Sequence, residues 1–87
     1  MVEQRIVVRL PMGLHARPAT ELAALASRFR SDIQLVRDSV AVNAKSTLGL
    51  MSLAAEPGAE LLVRAEGADA VEAVSQIAAF LQRTNEG

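Results

Sequence analysis

Apolar and polar residues alternate from Arg5 to Leu10, with Ile6, Val8 and Leu10 on one side and Arg5, Val7 and Arg9 on the other. A period of two is that of a strand with one buried face. Pro11 and Gly13 end the run. From Ala16 to Phe29 the period lengthens, and Leu22, Leu25, Ala26 and Phe29 fall on one face of an amphipathic helix. Pro18 suits the first turn of that helix, where a backbone N–H has no intrahelical use. Ile33 to Arg37 and Val40 to Asn43 read as two short strands, joined at Asp38-Ser39 by a hairpin turn without glycine. Ser46 is a good N-cap for the apolar, Met-bearing stretch that runs to Leu53. After the breaker Glu56-Pro57-Gly58, Glu60 to Glu66 is a strand with Leu61, Val63 and Ala65 facing one way. The last helix starts at Asp69, with Glu72 at capping-box distance and Val71, Val74, Ile77, Ala78 and Leu81 as its inner stripe.

The order is strand, helix, strand, strand, short helix, strand, helix. Four half-apolar strands need one face covered, and two long amphipathic helices can cover it. The expectation is an α+β fold of two layers with the other sheet face in solvent. Without a linker or repeat, residues 1–87 form one expected domain.

Composition narrows the chemistry. Half the residues are apolar, which argues against disorder, and only Phe29 and Phe80 are aromatic. A net charge of −1 with no basic cluster argues against a nucleic-acid surface. With no cysteine and one histidine, disulfides are impossible, the common zinc sites are excluded, and neither metal nor cofactor is expected. Met1-Val2-Glu3-Gln4-Arg5 is polar and no long apolar run follows, so neither a signal peptide nor membrane insertion is expected. The default is a soluble cytoplasmic domain.

That histidine, His15, lies where the first strand hands over to the first helix, within Gly13-Leu14-His15-Ala16-Arg17-Pro18-Ala19. A helix start offers backbone N–H groups and the positive end of the helix dipole, which can hold a phosphoryl oxygen. Arg17 adds a planar donor fork suited to phosphate. Alone, such a histidine would read as a cap or a solvated surface group, Arg17 as a solubilising charge and Gly13 as a turn residue. Together they point to transient phosphorylation of His15, with the Ala16 and Arg17 backbone cradling the group.

The same motif, with Asn43-Ala44-Lys45-Ser46 and Leu48-Gly49-Leu50-Met51-Ser52-Leu53, resembles HPr, the histidine-containing phosphocarrier family of the bacterial phosphoenolpyruvate-dependent sugar phosphotransferase system. The resemblance covers nearly the whole chain. It implies an open-faced sandwich: a four-stranded antiparallel sheet in order 1-4-2-3 with three helices on one face. It implies that His15 accepts a phosphoryl group on Nδ1 from enzyme I and passes it to enzyme IIA domains, with Arg17 stabilising the group. Such a chain is a carrier without turnover of its own, and a monomer is expected.

The second motif resembles the regulatory-serine region of Gram-positive HPr, so Ser46 is expected to be both a helix cap and the target of an HPr kinase/phosphorylase. Thr20, Ala23, Ala24, Thr47, Leu48 and Met51 occupy the family's partner-contact positions, although Leu48 and Met51 could equally be core. Lys45 and Arg28 could complement acidic partners. Three positions depart from the common pattern: Met12 for a polar residue, Asp38-Ser39 for Asn-Gly, and Ala54 for a glycine after the short helix. The alternative is a regulatory or binding module of the same fold, including a nitrogen-related branch. His15 argues against a module that carries no phosphoryl group, because the regulator lineage lacks that histidine.

Overall fold

Alternating burial along the strands decides which way the sheet faces. The computed structural model describes residues 1–84, so the last three positions of the expected 1–87 domain lie outside the described residues. Its elements are β1 (Val2–Val7), α1 (Ala16–Ala26), β2 (Asp32–Arg37), β3 (Val40–Asn43), α2 (Thr47–Ser52), β4 (Glu60–Glu66) and α3 (Ala70–Gln82). The sheet order is β1-β4-β2-β3, and every neighbouring pair is antiparallel. This is the open-faced sandwich that the resemblance implied.

Ile6 opposite Leu61, Leu35 opposite Val63 and Ile33 opposite Ala65 put the buried side chains of β1, β4 and β2 on one face. Helix α3 packs against β1, β4 and β2, and α1 packs against both α2 and α3. Leu22, Ala26, Leu50, Ile77 and Leu81 fill the layer between, so aliphatic side chains do the packing that aromatics do elsewhere. On the other face Glu3 stands opposite Arg64, and Arg64 opposite Gln34, with Arg64 Nε donating to Gln34 Oε1 at 2.7 Å.

Several boundaries move. The first strand begins at Val2, and its pairing with the β4 side runs on through Val8 N–H to the Ala59 carbonyl at 2.8 Å. Arg9 N–H then turns to the Leu81 carbonyl at the end of α3, at 2.9 Å. Ile6, Val8 and Leu10 all point inward as their alternation requires, but the last of them lies beyond the ladder. Helix α1 stops at Ala26, three residues short of Phe29. Val71 is 72% exposed, not part of the inner stripe, because Ala70 takes the inward position in the first turn of α3.

The capping box expected at Asp69 does not form. Asp69 is the N-cap of α3, yet its side chain makes no cap hydrogen bond. Oδ2 accepts from the Arg30 N–H at 2.9 Å, while Oδ1 accepts from the Ser31 N–H at 3.0 Å and the Ser31 hydroxyl at 2.5 Å. The carboxylate therefore staples the entry to β2 onto the start of α3. The seam is tight: a Cβ on Gly67, at φ +146°, would lie 2.6 Å from Ser31 Oγ.

The Ser31 hydroxyl, followed by the Arg30 N–H, holds the Asp69 carboxyl below its ordinary value. A carboxyl with a depressed folded value stabilises the fold fully above its unfolded pKa and loses that contribution as pH falls through the folded value. Denaturant unfolding from neutral to strongly acidic pH should show a gap between wild type and Asp69→Asn that narrows as the acid protonates Asp69. A gap of constant size over that range would mean that ionised Asp69 adds nothing to stability.

Candidate functional site

The loop from Leu10 to His15 rests on the segment that follows α2. Gly13 N–H donates to the Leu10 carbonyl at 2.9 Å, closing a turn, and Leu14 N–H donates to the Ala55 carbonyl at 2.8 Å. Gly13 has φ +72°, and a Cβ there would sit 2.4 Å from the Ala55 oxygen and 2.9 Å from the Glu56 Cα. No side chain fits between two backbones at that separation, so glycine is required on two counts. Leu14 is anchored in the core beneath.

His15 is the N-cap residue of α1, in extended conformation, and its carbonyl accepts from the Ala19 N–H at 2.9 Å. Its imidazole makes no cap hydrogen bond. The N–H groups of Ala16 and Arg17 lie in the first turn, where no carbonyl precedes them within the helix. Pro18 brings no N–H and buries its ring. His15 lines an open cleft with Leu14, Met51, Ala55 and Glu56.

Arg17 is exposed, and its Nε lies 3.8 Å from Glu21 Oε2 one turn on. The other Glu21 oxygen accepts from Arg83 Nη2 at 2.9 Å, and the Arg83 guanidinium sits 4.0 Å above the Phe80 ring. A long, solvated ion pair such as Arg17–Glu21 holds its cation weakly, so Arg17 can swing to an anion beside it.

Ser46 caps α2: its Oγ accepts from the Gly49 N–H at 3.0 Å and its carbonyl from the Leu50 N–H at 3.0 Å. The structural half of the Ser46 expectation is thus present in the geometry. Lys45 is tied down, with Nζ donating to the Phe29 carbonyl at 2.8 Å, whereas Arg28 is exposed.

The expected partner positions divide. Leu48 is 79% and Met51 41% exposed, so neither is a core residue; Leu50 between them is buried. Thr20 and Ala24 are exposed and Thr47 is half-buried, with Thr20 Oγ1 donating to the Ala16 carbonyl at 2.9 Å. Ala23, at 6% exposure, is buried on the α1 stripe with Ala19, Leu22 and Ala26 and offers little surface to a partner. Met12, 68% exposed, adds to the apolar groups around the cleft that His15 lines.

Three charged residues near the site escaped the sequence because single charges read as solvated surface. Arg37 at the end of β2 donates through Nη1 to the carbonyls of Leu53 at 3.1 Å and Ala54 at 3.0 Å, and through Nη2 to Glu56 Oε1 at 2.8 Å. Bonded to Arg37, the Glu56 carboxyl is held below its usual range. Glu21 is the third, as the carboxylate shared by Arg17 and Arg83. The one available signal was Ala54 itself, which stands at φ 49° where helices commonly end on glycine. Among the described residues, no three metal-ligating side chains gather, and no helix is long and apolar enough to cross a membrane.

Known proteins resemble this chain in sequence and fold. The family model described as PTS HPr component phosphorylation site matches residues 2–83. The HPr-like protein Crh of Bacillus subtilis is 49% identical over 82 residues, covering 94% of this chain and 96% of its own. Phosphocarrier protein HPr of Treponema pallidum is 48% identical over 82 residues, covering 94% and 93%. Among solved structures, HPr of Bacillus anthracis superposes with a TM-score of 0.91 at 44% identity, covering 93% of this chain and 96% of that one. A structure of Bacillus subtilis Crh, 46% identical over the full length of both chains with a TM-score of 0.78, is a domain-swapped dimer. With the family model spanning β1 to the end of α3, the sheet in order β1-β4-β2-β3 and His15 at the start of α1, the chain belongs to the HPr family.

Proposed function

We propose that this chain is a cytoplasmic phosphocarrier that relays a phosphoryl group from enzyme I to enzyme IIA domains of a sugar phosphotransferase system, through His15. The observation that carries the reading is the placement of His15 as the N-cap of α1, with its imidazole outside the cap and Arg17 in the first turn. In the transfer, the lone pair of Nδ1 would form a bond to phosphorus as the bond from phosphorus to phosphorylated enzyme I breaks, the electron pair leaving with enzyme I and the proton staying on Nε2. The first-turn N–H groups of Ala16 and Arg17 and the Arg17 guanidinium then face the phosphoryl oxygens. These contacts are solvated, so they stabilise the group without trapping it. The chain supplies a nucleophile and a cradle, and the partners supply the rest of each transfer site. Exposed Leu48, Met51 and Met12 suit partners of different shape, because methionine repacks easily.

A second reading rests on the 49% identity to an HPr-like protein, Crh: a regulatory module that acts through Ser46. Here an HPr kinase/phosphorylase would phosphorylate the Ser46 hydroxyl at the start of α2. His15 favours the carrier, and both states can belong to one chain. The expectation of a monomer draws no support from a swapped dimer among the solved relatives.

Incubation with phosphoenolpyruvate, magnesium and enzyme I should add one acid-labile, base-stable phosphoryl group to the wild type and none to His15→Ala. Unchanged mass with a demonstrably active enzyme I overturns the carrier reading. Arg17→Ala should keep the fold and slow transfer, and Arg17→Lys should recover part of the rate as a point charge without the fork.

Ser46→Ala loses the bond from the Gly49 N–H and should cost about 1 kcal/mol, a melting temperature lower by roughly 4–8 °C. Ser46→Asp keeps an acceptor at the cap and should melt near wild type, while accepting phosphoryl groups from enzyme I more slowly, most clearly at low salt. Equal transfer rates for Ser46→Asp and wild type would leave Ser46 as a cap alone.

A further inference from the structure

We propose that the Arg37–Glu56 pair is a positioning clamp for the phosphorylation site, holding Ala54 in the left-handed conformation on which the His15 loop rests. The inference deepens the carrier reading and draws on contacts outside the HPr motifs.

The residue after the C-cap of α2 is Ala54, at φ 49°. An alanine pays a steric penalty in that region that glycine does not, so left to itself this residue favours a different exit from the helix. Yet the exit cannot change without moving Ala55, whose carbonyl accepts the Leu14 N–H at 2.8 Å. Nor can Ala55 shift towards the loop, since Gly13 already approaches its oxygen at a distance no Cβ would permit. The strained residue and the site are therefore joined by a short, stiff path: Ala54, Ala55, Leu14, His15.

Arg37 grips that path from the sheet. Its guanidinium binds the carbonyls on both sides of the strained φ, those of Leu53 and Ala54, and its second Nη binds the Glu56 carboxylate just beyond. Three acceptors over four residues fix the direction of the chain through the turn. A planar fork suits this task, and a lysine point charge does not. Glu56 also lines the cleft of His15, where an uncompensated carboxylate would repel an incoming phosphoryl group; Arg37 keeps it paired.

A glycine at position 54 would make the clamp unnecessary, and that yields the test. Arg37→Ala/Glu56→Gln removes the pair without leaving a lone charge by the site. Two quantities are measured on the full chain: hydrogen exchange of the Leu14 amide by nuclear magnetic resonance, and the rate of phosphoryl acceptance from enzyme I. The double variant should exchange the Leu14 amide faster relative to amides of β4, shift the Leu14 and His15 resonances, and accept phosphoryl groups about tenfold more slowly, since small misplacements of a reacting group carry costs of this order. Adding Ala54→Gly to the double variant should restore both quantities, because the strain that the clamp opposed is then gone. A merely structural pair would lower global stability without this rescue. Wild-type Leu14 exchange in the double variant, slowed transfer with unchanged exchange, or failure of Ala54→Gly to restore either quantity overturns the clamp. If the wild type itself accepts no phosphoryl group, the carrier reading falls, and the Leu14 exchange in the three proteins still decides the clamp.

Discussion

Everything at the functional end of the molecule depends on one close approach: the backbone of Gly13 and Leu14 lying on that of Ala55 and Glu56. A Cβ at residue 13 would come within 2.4 Å of the Ala55 oxygen, and one hydrogen bond from the Leu14 N–H closes the contact. The contact ties the start of α1 to the end of α2, two helices that also pack directly. Because Leu14 is buried and His15 follows it, the core fixes where the imidazole leaves the chain. His15 can therefore stand half-exposed without wandering. A carrier needs that combination, since its nucleophile must be reachable by more than one partner and still meet each in a defined geometry.

The charges around this contact carry unequal constraint. Arg37 is half-buried and makes three bonds to the segment 53–56, so it acts as a fixed strut. Arg17 is exposed, with a long ion pair to a glutamate that Arg83 already engages more closely. Glu21 divided between two cations pulls less on either, and Arg83, stacked on Phe80, is the better held of the two. The weaker grip falls on Arg17, the cation that the proposed carrier role turns towards a phosphoryl group.

The fold was legible because it is written in periodicity. The alternation of Ile6, Val8 and Leu10, of Leu61, Val63 and Ala65, and the stripe of Val74, Ile77 and Leu81 all describe burial, and burial decides the layers. Strand order came only with the family resemblance, since alternation states which face a residue takes and not which strand lies beside it. The position of His15 and Arg17 at the start of α1 was legible for a different reason, as both lie in one contiguous motif. What escaped was non-local. Asp69 sits at capping-box distance from Glu72, but Arg30 and Ser31, far back in sequence, offer three donors in a fixed array, and those outcompete one local N–H. Arg37 and Glu56 are 19 residues apart, and nothing in either neighbourhood names the other. The burial of Ala23 was not legible because a small residue on a helix flank serves core and surface equally well by composition.

Helix α2 shows how two sources of order can be kept separate in a small fold. Its N-terminus is set by Ser46, whose hydroxyl oxygen accepts a single bond from the Gly49 N–H and keeps further acceptor capacity. Its C-terminus is set by Arg37 reaching across from the sheet to the carbonyls of Leu53 and Ala54. A charge added at the first end falls where the helix dipole favours it, so it can alter the exposed face of Leu48 and Met51 without loosening the second end. The second end carries the floor beneath His15. The regulation proposed at Ser46 and the positioning proposed at His15 would thus draw on opposite termini of one six-residue helix, and a change in what docks on its surface need not disturb the backbone beneath His15.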